Sequence, residues 1–269
     1  MHLTALCPTY GRPSLAANAA ALFLAQTLRD GDTAELVIFD DAGQLQPMEL
    51  IHPDQTKIVR VIISHRWTRL QLKYPLMASD VSRVSIDQPY AYVIWDDDDV
   101  YLPWHLSAIA AALDGGRTIG YAHPSEIWST YDPDVSKPIK DRLHLESAAG
   151  RFHGAAAVTA WALAKSGGWC IEDRADYDQV HLRNWYETAK RGDPCQHFAP
   201  SYVYRWADTQ RNHCSGSIRD NRYQQPPIQE PGYVGPLLPA FDASTEAIWA
   251  ALVPSERPRY AYFPIAAAA

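Results

Sequence analysis

The stretch Tyr90-Ala91-Tyr92-Val93-Ile94-Trp95-Asp96-Asp97-Asp98-Asp99-Val100-Tyr101-Leu102-Pro103 decides the fold. Its first six residues are apolar, aromatic or β-branched and read as a buried strand. The four aspartates lie where that strand leaves the sheet, and Pro103-Trp104-His105-Leu106 then opens a helix. Like charges crowded this closely repel one another unless solvent or a cation compensates them. Hard oxygen ligands at a strand end suit Mg²⁺ or Mn²⁺, with the remaining coordination positions left for substrate phosphates. The competing reading is a solvated acidic turn, the ordinary fate of a charge run.

Upstream, Leu3-Thr4-Ala5-Leu6-Cys7 is a strand broken by Pro8, and an Ala/Leu-rich helix follows from Pro13 to Thr27. Glu35 to Phe39 is a second buried strand, closed by Asp40-Asp41, and Lys57 to Ile63 is a third. A basic and aromatic stretch, His65-Arg66-Trp67-Thr68-Arg69, precedes a helix expected from Leu76 to Ile86. This alternation predicts an α/β, doubly wound architecture with a mostly parallel sheet between helical layers. Ligands in such sheets bind beyond the carboxyl ends of the strands, where Tyr10, Asp41 and Asp98 gather. After the first strand the chain reads Pro8-Thr9-Tyr10-Gly11-Arg12-Pro13, neither GxGxxG nor GxxxxGK[ST]. A nucleotide must then be held by other means, and a carboxylate-bound metal gripping the diphosphate is the substitute.

Downstream, the helix from Pro103 to Leu113 precedes a short strand near Thr118 to Ala122, and Ser129 to Arg142 reads as a loop or hairpin. Ala160 to Ser166 is a helix stopped by Gly167-Gly168, and Tyr177 to Arg191 an aromatic-rich helix ended by Gly192-Asp193-Pro194. The proline-rich stretch from Gln224 to Pro239 is expected to wrap over the surface without regular structure.

The 269 residues suffice for one large α/β domain or two small ones, and 47% hydrophobic residues give a sizeable core. A net charge of −7 argues against a general nucleic-acid-binding surface while leaving room for a local basic groove. There is no membrane-spanning apolar run and no signal-like N-terminus, so a soluble, cytoplasmic protein is expected. The four cysteines, Cys7, Cys170, Cys195 and Cys214, lack paired spacing and are read as free thiols. A zinc site from Cys195 with His197, or His213 with Cys214, is the weaker alternative.

Taken in order, CPTYGRP, LVIFDD, YVIWDDDDVYLP, GGW followed by ADYDQVHLR, and YRWADTQRNHCSG together resemble the inverting family 2 glycosyltransferases of GT-A fold, over about residues 3 to 216. The resemblance implies a GT-A, Rossmann-like three-layer α/β/α domain over residues 1–216. Residues 1–100 form its nucleotide-sugar-binding half and 101–216 its acceptor-binding half, with 217–269 a Pro-rich extension packed on it. It implies a metal-dependent transfer from a nucleotide-sugar donor, UDP-linked by preference, to a saccharide or other hydroxyl acceptor, with Mn²⁺ or Mg²⁺ as cofactor.

Carried over residue by residue, Tyr10 is the ring against the nucleobase, and Pro8 and Thr9 give backbone contacts beside it. Asp41 accepts a hydrogen bond from the base, while Asp40 either serves the ribose or caps the turn. In the acidic run Asp98 is the metal ligand, Asp96 a ribose or metal contact and Asp97 the variable position. Asp99 holds metal-bound water or caps the next helix. Arg12, Arg69 and Lys73 belong to the nucleotide site, and Arg66, Arg205 and Arg211 are further candidates for the diphosphate. His213 completes the metal shell, and His153, Gly154 and Trp169 lie at the acceptor pocket. The base that removes the acceptor proton is Asp176, with Asp173 of the literal Glu172-Asp173 pair competing for the role; Ala175 stands where the family has Glu. The alternatives are a glycosyltransferase acting on hydroxylated bases in DNA, served by the basic 65–73 segment with Arg205, Arg211, Arg219 and Arg222, a catalytically inactive nucleotide- or carbohydrate-binding protein of the same fold, and a nucleotidyltransferase, which would need a glycine-rich basic loop that is missing here.

Overall fold

The computed structural model describes residues 1–63, 70–81, 90–114, 118–132, 134, 136–172, 176–205, 233–253 and 263–265. In chain order the elements are β1 (His2–Thr9), α1 (Pro13–Leu24), β2 (Thr33–Asp40), β3 (Met48–Ile51), β4 (Lys57–Ile63), α2 (Leu70–Val81), β5 (Tyr90–Ile94), β6 (Val100–Tyr101) and α3 (His105–Leu113). They continue with β7 (Ile119–Ala122), β8 (Glu126–Ser129), α4 (Ile139–Arg142), β9 (His144–Ser147), β10 (Ala157–Thr159), α5 (Ala160–Lys165), α6 (Tyr177–Thr188), β11 (Lys190–Gly192), β12 (Tyr202–Tyr204), α7 (Ala243–Leu252) and β13 (Phe263–Ile265).

Among the described residues nine strands form the main sheet, in the order β11-β7-β10-β5-β1-β2-β4-β3-β13. Its centre, β5-β1-β2-β4, is parallel, as the alternating pattern predicts. Antiparallel pairings flank that centre: β10 on β5 at one side, β3 on β4 and β13 on β3 at the other. A smaller sheet, β6-β12-β8-β9, stands beside it.

Side chains alternate across the sheet with a period of two, so β1 sends Leu3, Ala5 and Cys7 to one face and Leu6 to the other. On the first face α1, α3 and α7 contribute Phe23, Ile109 and Trp249; on the second α2, α5 and α6 contribute Met77, Leu163 and Trp185. The result is a three-layer α/β/α molecule of GT-A type. Strands buried on both faces explain the near-continuous apolar runs of β1, β2 and β5.

Several boundaries differ from the sequence reading. Helix α1 ends at Leu24, short of Thr27, because buried partners take over its last carbonyls. Lys57 Nζ donates to the carbonyls of Leu24 and Gln26, and Gln26 Nε2 to that of Leu22. Helix α2 begins at Leu70 and runs through Pro75, so it starts earlier than the Leu76 onset expected. The helix from Tyr177 stops at Thr188, and residues 190–192 pair with β7 as an edge strand. Within Ser129 to Arg142 lies the short helix α4, and β8 and β9 pair across it as an antiparallel hairpin.

Candidate functional site

Three parallel strands deliver their carboxyl ends to one edge of the sheet. β1 ends in Thr9-Tyr10-Gly11-Arg12, β2 in Asp40-Asp41, and β5 in Trp95 and the four aspartates. The turn after β1 is tight enough to place Gly11 at φ 65°, a conformation glycine adopts without steric cost, and Pro13 then fixes the first helical turn of α1.

The aspartates have four different environments. Asp97 is 1% exposed; it accepts from Thr9 Oγ1 at 2.7 Å and from Arg12 Nη2 at 2.5 Å, so both of its oxygens are engaged. Asp98 receives Arg12 Nη1 at 3.2 Å. Asp99 accepts from the Tyr202 hydroxyl and from the Arg205 backbone N–H at 2.9 Å. Asp96 is the most exposed of the four, and among the described residues no donor reaches its carboxylate; its backbone N–H donates to the Tyr101 hydroxyl at 2.6 Å.

Burial and mutual repulsion act on all this charge. Burial, with Asp98 next, pushes the Asp99 carboxyl up to about 8. Burial pushes Asp97 up to about 6, against the pull of Arg12. Asp96 lies well above the usual carboxylate range because of burial first and then Asp99, Asp98, Asp97 and Asp178. Four carboxylates in such a place call for cations, and Arg12 and Arg205 supply two. Arg205, 1% exposed, is anchored behind the run: its Nε donates to the Asp98 carbonyl at 2.5 Å and its Nη1 to Asp242 at 2.5 Å. It therefore braces the aspartates from inside, where the sequence suggested a grip on diphosphate.

Beside the run, Tyr10, Asp41 and Lys73 come together. Lys73 Nζ is 3.4 Å from Asp41 Oδ2 and 5.8 Å from the centre of the Tyr10 ring. Asp40 does not share that pocket's work. Its Oδ1 accepts from Ala42 N–H, and its Oδ2 from Gln44 and Leu45 N–H at 2.6 and 2.7 Å, which is the turn-capping alternative.

On the other side of the run, Gly154 lies against Asp96. A Cβ there would stand 2.4 Å from Asp96 Oδ2 and 3.0 Å from the Tyr202 hydroxyl, so no side chain fits without moving the carboxylate. His153 and Trp169 belong to a cluster of rings with Tyr74, Tyr177, His181 and Trp185; Trp169 stacks on Tyr74 at 5.5 Å. Burial lowers His153 well below the ordinary imidazole range, and His181 to about 4. Both rings are therefore neutral at pH 7.

Asp176 is the exposed N-cap residue of α6 and makes no side-chain capping bond. Asp178, one turn before the buried His181 and Leu182, is half-buried, and its charge is among those that raise Asp96 and Tyr74. It is a carboxylate of ADYDQVHLR whose charge reaches the acidic run. The sequence reading quoted it without giving it a role, and only the phase of α6 distinguishes it. Thr9 Oγ1, Tyr202 and Asp242 were likewise missing as side-chain partners. Asp173, Arg66, Arg69, Arg211, His213, Arg219 and Arg222 lie outside the described residues.

Asp96 and Asp98 have the donor chemistry for a hard divalent cation. Among the described residues no third His, Cys, Asp or Glu joins them in a metal-binding group. Such a pair fits Mg²⁺ or Mn²⁺ only when phosphate oxygens or water complete the shell. No helix among the described residues is long and apolar enough to cross a membrane.

No protein-family model matches the chain, and no curated protein matches it by sequence. Solved structures do match in fold. S. aureus TarS 1-349 in complex with UDP-GlcNAc superposes with a TM-score of 0.56 at 13% identity, covering 78% of this chain and 60% of that one. TarS 1-349 alone gives 0.55 at 12% identity, covering 76% and 60%. This chain thus spans about 60% of the length of those structures, and the likeness is one of fold.

Proposed function

We propose that this chain is a glycosyltransferase that takes a nucleotide-sugar donor, by preference UDP-linked, uses a divalent metal and inverts the anomeric centre. The observation that carries the reading is one juxtaposition. Tyr10, Asp41 and Lys73 meet at the ends of β1 and β2, next to an acidic run whose Asp96 is half-buried and accepts no hydrogen bond among the described residues. The fold shared with a structure that contains UDP-GlcNAc supports the choice of donor class.

In this reading Tyr10 stacks on the base, Asp41 accepts from it, and Lys73 lies between that pair and the diphosphate. Asp96 and Asp98 would hold the cation, which supplies neutralisation of the charge building on the departing diphosphate. Transfer is a single displacement: the acceptor oxygen bonds to the anomeric carbon as the bond from that carbon to the diphosphate oxygen breaks. The acceptor proton passes to a carboxylate on the opposite face. We assign that role to Asp178, half-buried on the face of α6 that carries His181 and Trp185, ahead of the exposed Asp176. Gly154 and Trp169 bound the acceptor side, and a saccharide hydroxyl is the acceptor class we favour. The basic 65–69 segment and Arg211, Arg219 and Arg222, on which the DNA alternative relied, lie outside the described residues.

The test is thermal unfolding of the full chain against UDP, GDP, CDP and dTDP, each with Mn²⁺ or with chelator. A diphosphate at a hundred times its dissociation constant adds about 2.7 kcal/mol. Stabilisation by UDP that needs Mn²⁺ is the expected result. No stabilisation by any diphosphate would sink the donor site.

A further inference from the structure

The acidic run already carries a cation of its own, and that cation is mounted on the turn that bears Tyr10. Arg12 holds Asp97 through Nη2 at 2.5 Å and Asp98 through Nη1 at 3.2 Å, with side-chain exposures of 8% for Arg12, 1% for Asp97 and 12% for Asp98. The two contacts are unequal. Asp97 is locked, because Thr9 holds its other oxygen. Asp98 is the more exposed carboxylate and has the longer contact, so Nη1 can leave it while Nη2 keeps the arginine in place.

Among the described residues a divalent cation arriving alone meets Asp96 and Asp98, and the guanidinium already occupies Asp98. Like charges at that range repel strongly in a partly buried site. A diphosphate changes both terms: its oxygens complete the coordination shell, and its negative charge gives the released Nη1 a new partner.

We propose that Arg12 is a resident counter-cation that makes metal binding conditional on the nucleotide: it occupies Asp98 in the nucleotide-free protein and yields it when the diphosphate and the metal arrive together. Tyr10 is two residues away, across the Gly11 turn, so base contact and release of Asp98 are carried by one short segment. The inference rests on the donor-site reading above.

Direct Mn²⁺ binding to the full chain, followed by the electron paramagnetic resonance of free Mn²⁺ with and without UDP, tests it without reference to turnover. The wild type should bind Mn²⁺ at least tenfold more tightly with UDP than alone. Asp97→Asn frees Arg12 to settle wholly on Asp98 and should weaken binding of Mn²⁺ alone. Arg12→Gln combined with Asp97→Asn removes the pair as a neutral unit, leaves Asp98 to the metal, and should tighten it about fivefold or more, shrinking the benefit of UDP. Arg12→Lys keeps the charge but not the fork that spans both carboxylates, and should fall between the wild type and the double variant. A purely structural Arg12 predicts that the double variant binds no more tightly than the wild type, and that result would overturn the proposal while leaving the UDP-dependent site standing. If the wild type binds no Mn²⁺ even with UDP, the donor-site reading falls and the role of Arg12 falls with it.

Discussion

At the scale of single residues, His181 shows how far the interior constrains chemistry. Its Nε2 accepts from the Cys170 N–H at 2.7 Å, which leaves the proton on Nδ1, and its ring stacks on Trp185 at 5.7 Å and meets Tyr74 edge-on. Protonation would turn that acceptor into a donor facing another donor and bury a charge among rings. Burial accordingly lowers the ring to about 4. The unfolded chain takes up this proton near pH 6.5 and the folded chain only near 4, so the stabilisation is complete above pH 6.5 and is lost as pH falls towards 4. The shift from 6.5 to about 4 is on the order of 3 kcal/mol. His181→Gln keeps an acceptor for Cys170 without a titrating ring. Its melting temperature should fall less steeply than the wild type's between pH 6.5 and 4; parallel curves would show that His181 already titrates normally in the fold. What the sequence could show at this scale was covalent neighbourhood: four adjacent carboxylates, and a tyrosine and an arginine in one turn. Which aspartates turn inward was invisible, because their partners lie 85 residues before Asp97 and 106 after Asp99.

At the scale of elements the lesson is phase. The strands were legible because buried parallel strands are continuous apolar runs, and β1, β2, β4 and β5 stand close to where the pattern put them. Helix starts were harder, since an element end is uncertain by one or two residues and on a helix that error is a rotation of 100° to 200°. ADYDQVHLR was recognisable as a motif that opens a helix, yet its assignment to Asp176 depended on that phase. In α6, Asp178, His181 and Trp185 recur at i, i+3 and i+7 and so share a face, and the last two are buried. Asp176 precedes the helix and is exposed. Asp178→Asn is therefore expected to lower kcat by about 10²- to 10⁴-fold with little change in UDP–Mn²⁺ affinity. Asp176→Asn should cost less than tenfold. Steady-state kinetics alongside a nucleotide-binding titration separate the two, and the opposite ranking would return the base to Asp176.

At the scale of the whole molecule, the C-terminal residues that read as an extension are built into the centre. Leu237, Ile248, Trp249 and Val253 belong to the same core cluster as Leu3, Phe23 and Ile109, Gly235 bridges Leu45, and β13 pairs with β3 at the sheet edge. The described part of the proline-rich approach, 233–239, runs mostly exposed and without regular structure as composition suggests, and the long-range contacts that bury Leu237 and α7 were not legible. The strongest of them reaches the site: Asp242 accepts from the α7 N–H of Thr245 at 2.7 Å and also holds Arg205, which grips the Asp98 carbonyl and, through its backbone N–H, Asp99. A chain ending at residue 232 would thus bare the part of the core that Leu237, Ile248 and Trp249 fill and remove Asp242 from the Arg205 guanidinium. Removing one partner of a largely buried ion pair costs about 3–5 kcal/mol when no water reaches it, and losing Trp249 alone costs about as much; the partial exposure of Asp242 places its share lower. Against a typical total of 5–15 kcal/mol, that truncation should abolish cooperative urea unfolding and UDP binding together. A truncated chain that unfolds at the wild-type midpoint and binds UDP with wild-type affinity would mean that the acidic run is held by the first 232 residues alone, and that the link from Asp242 to Asp98 has no part in shaping the site.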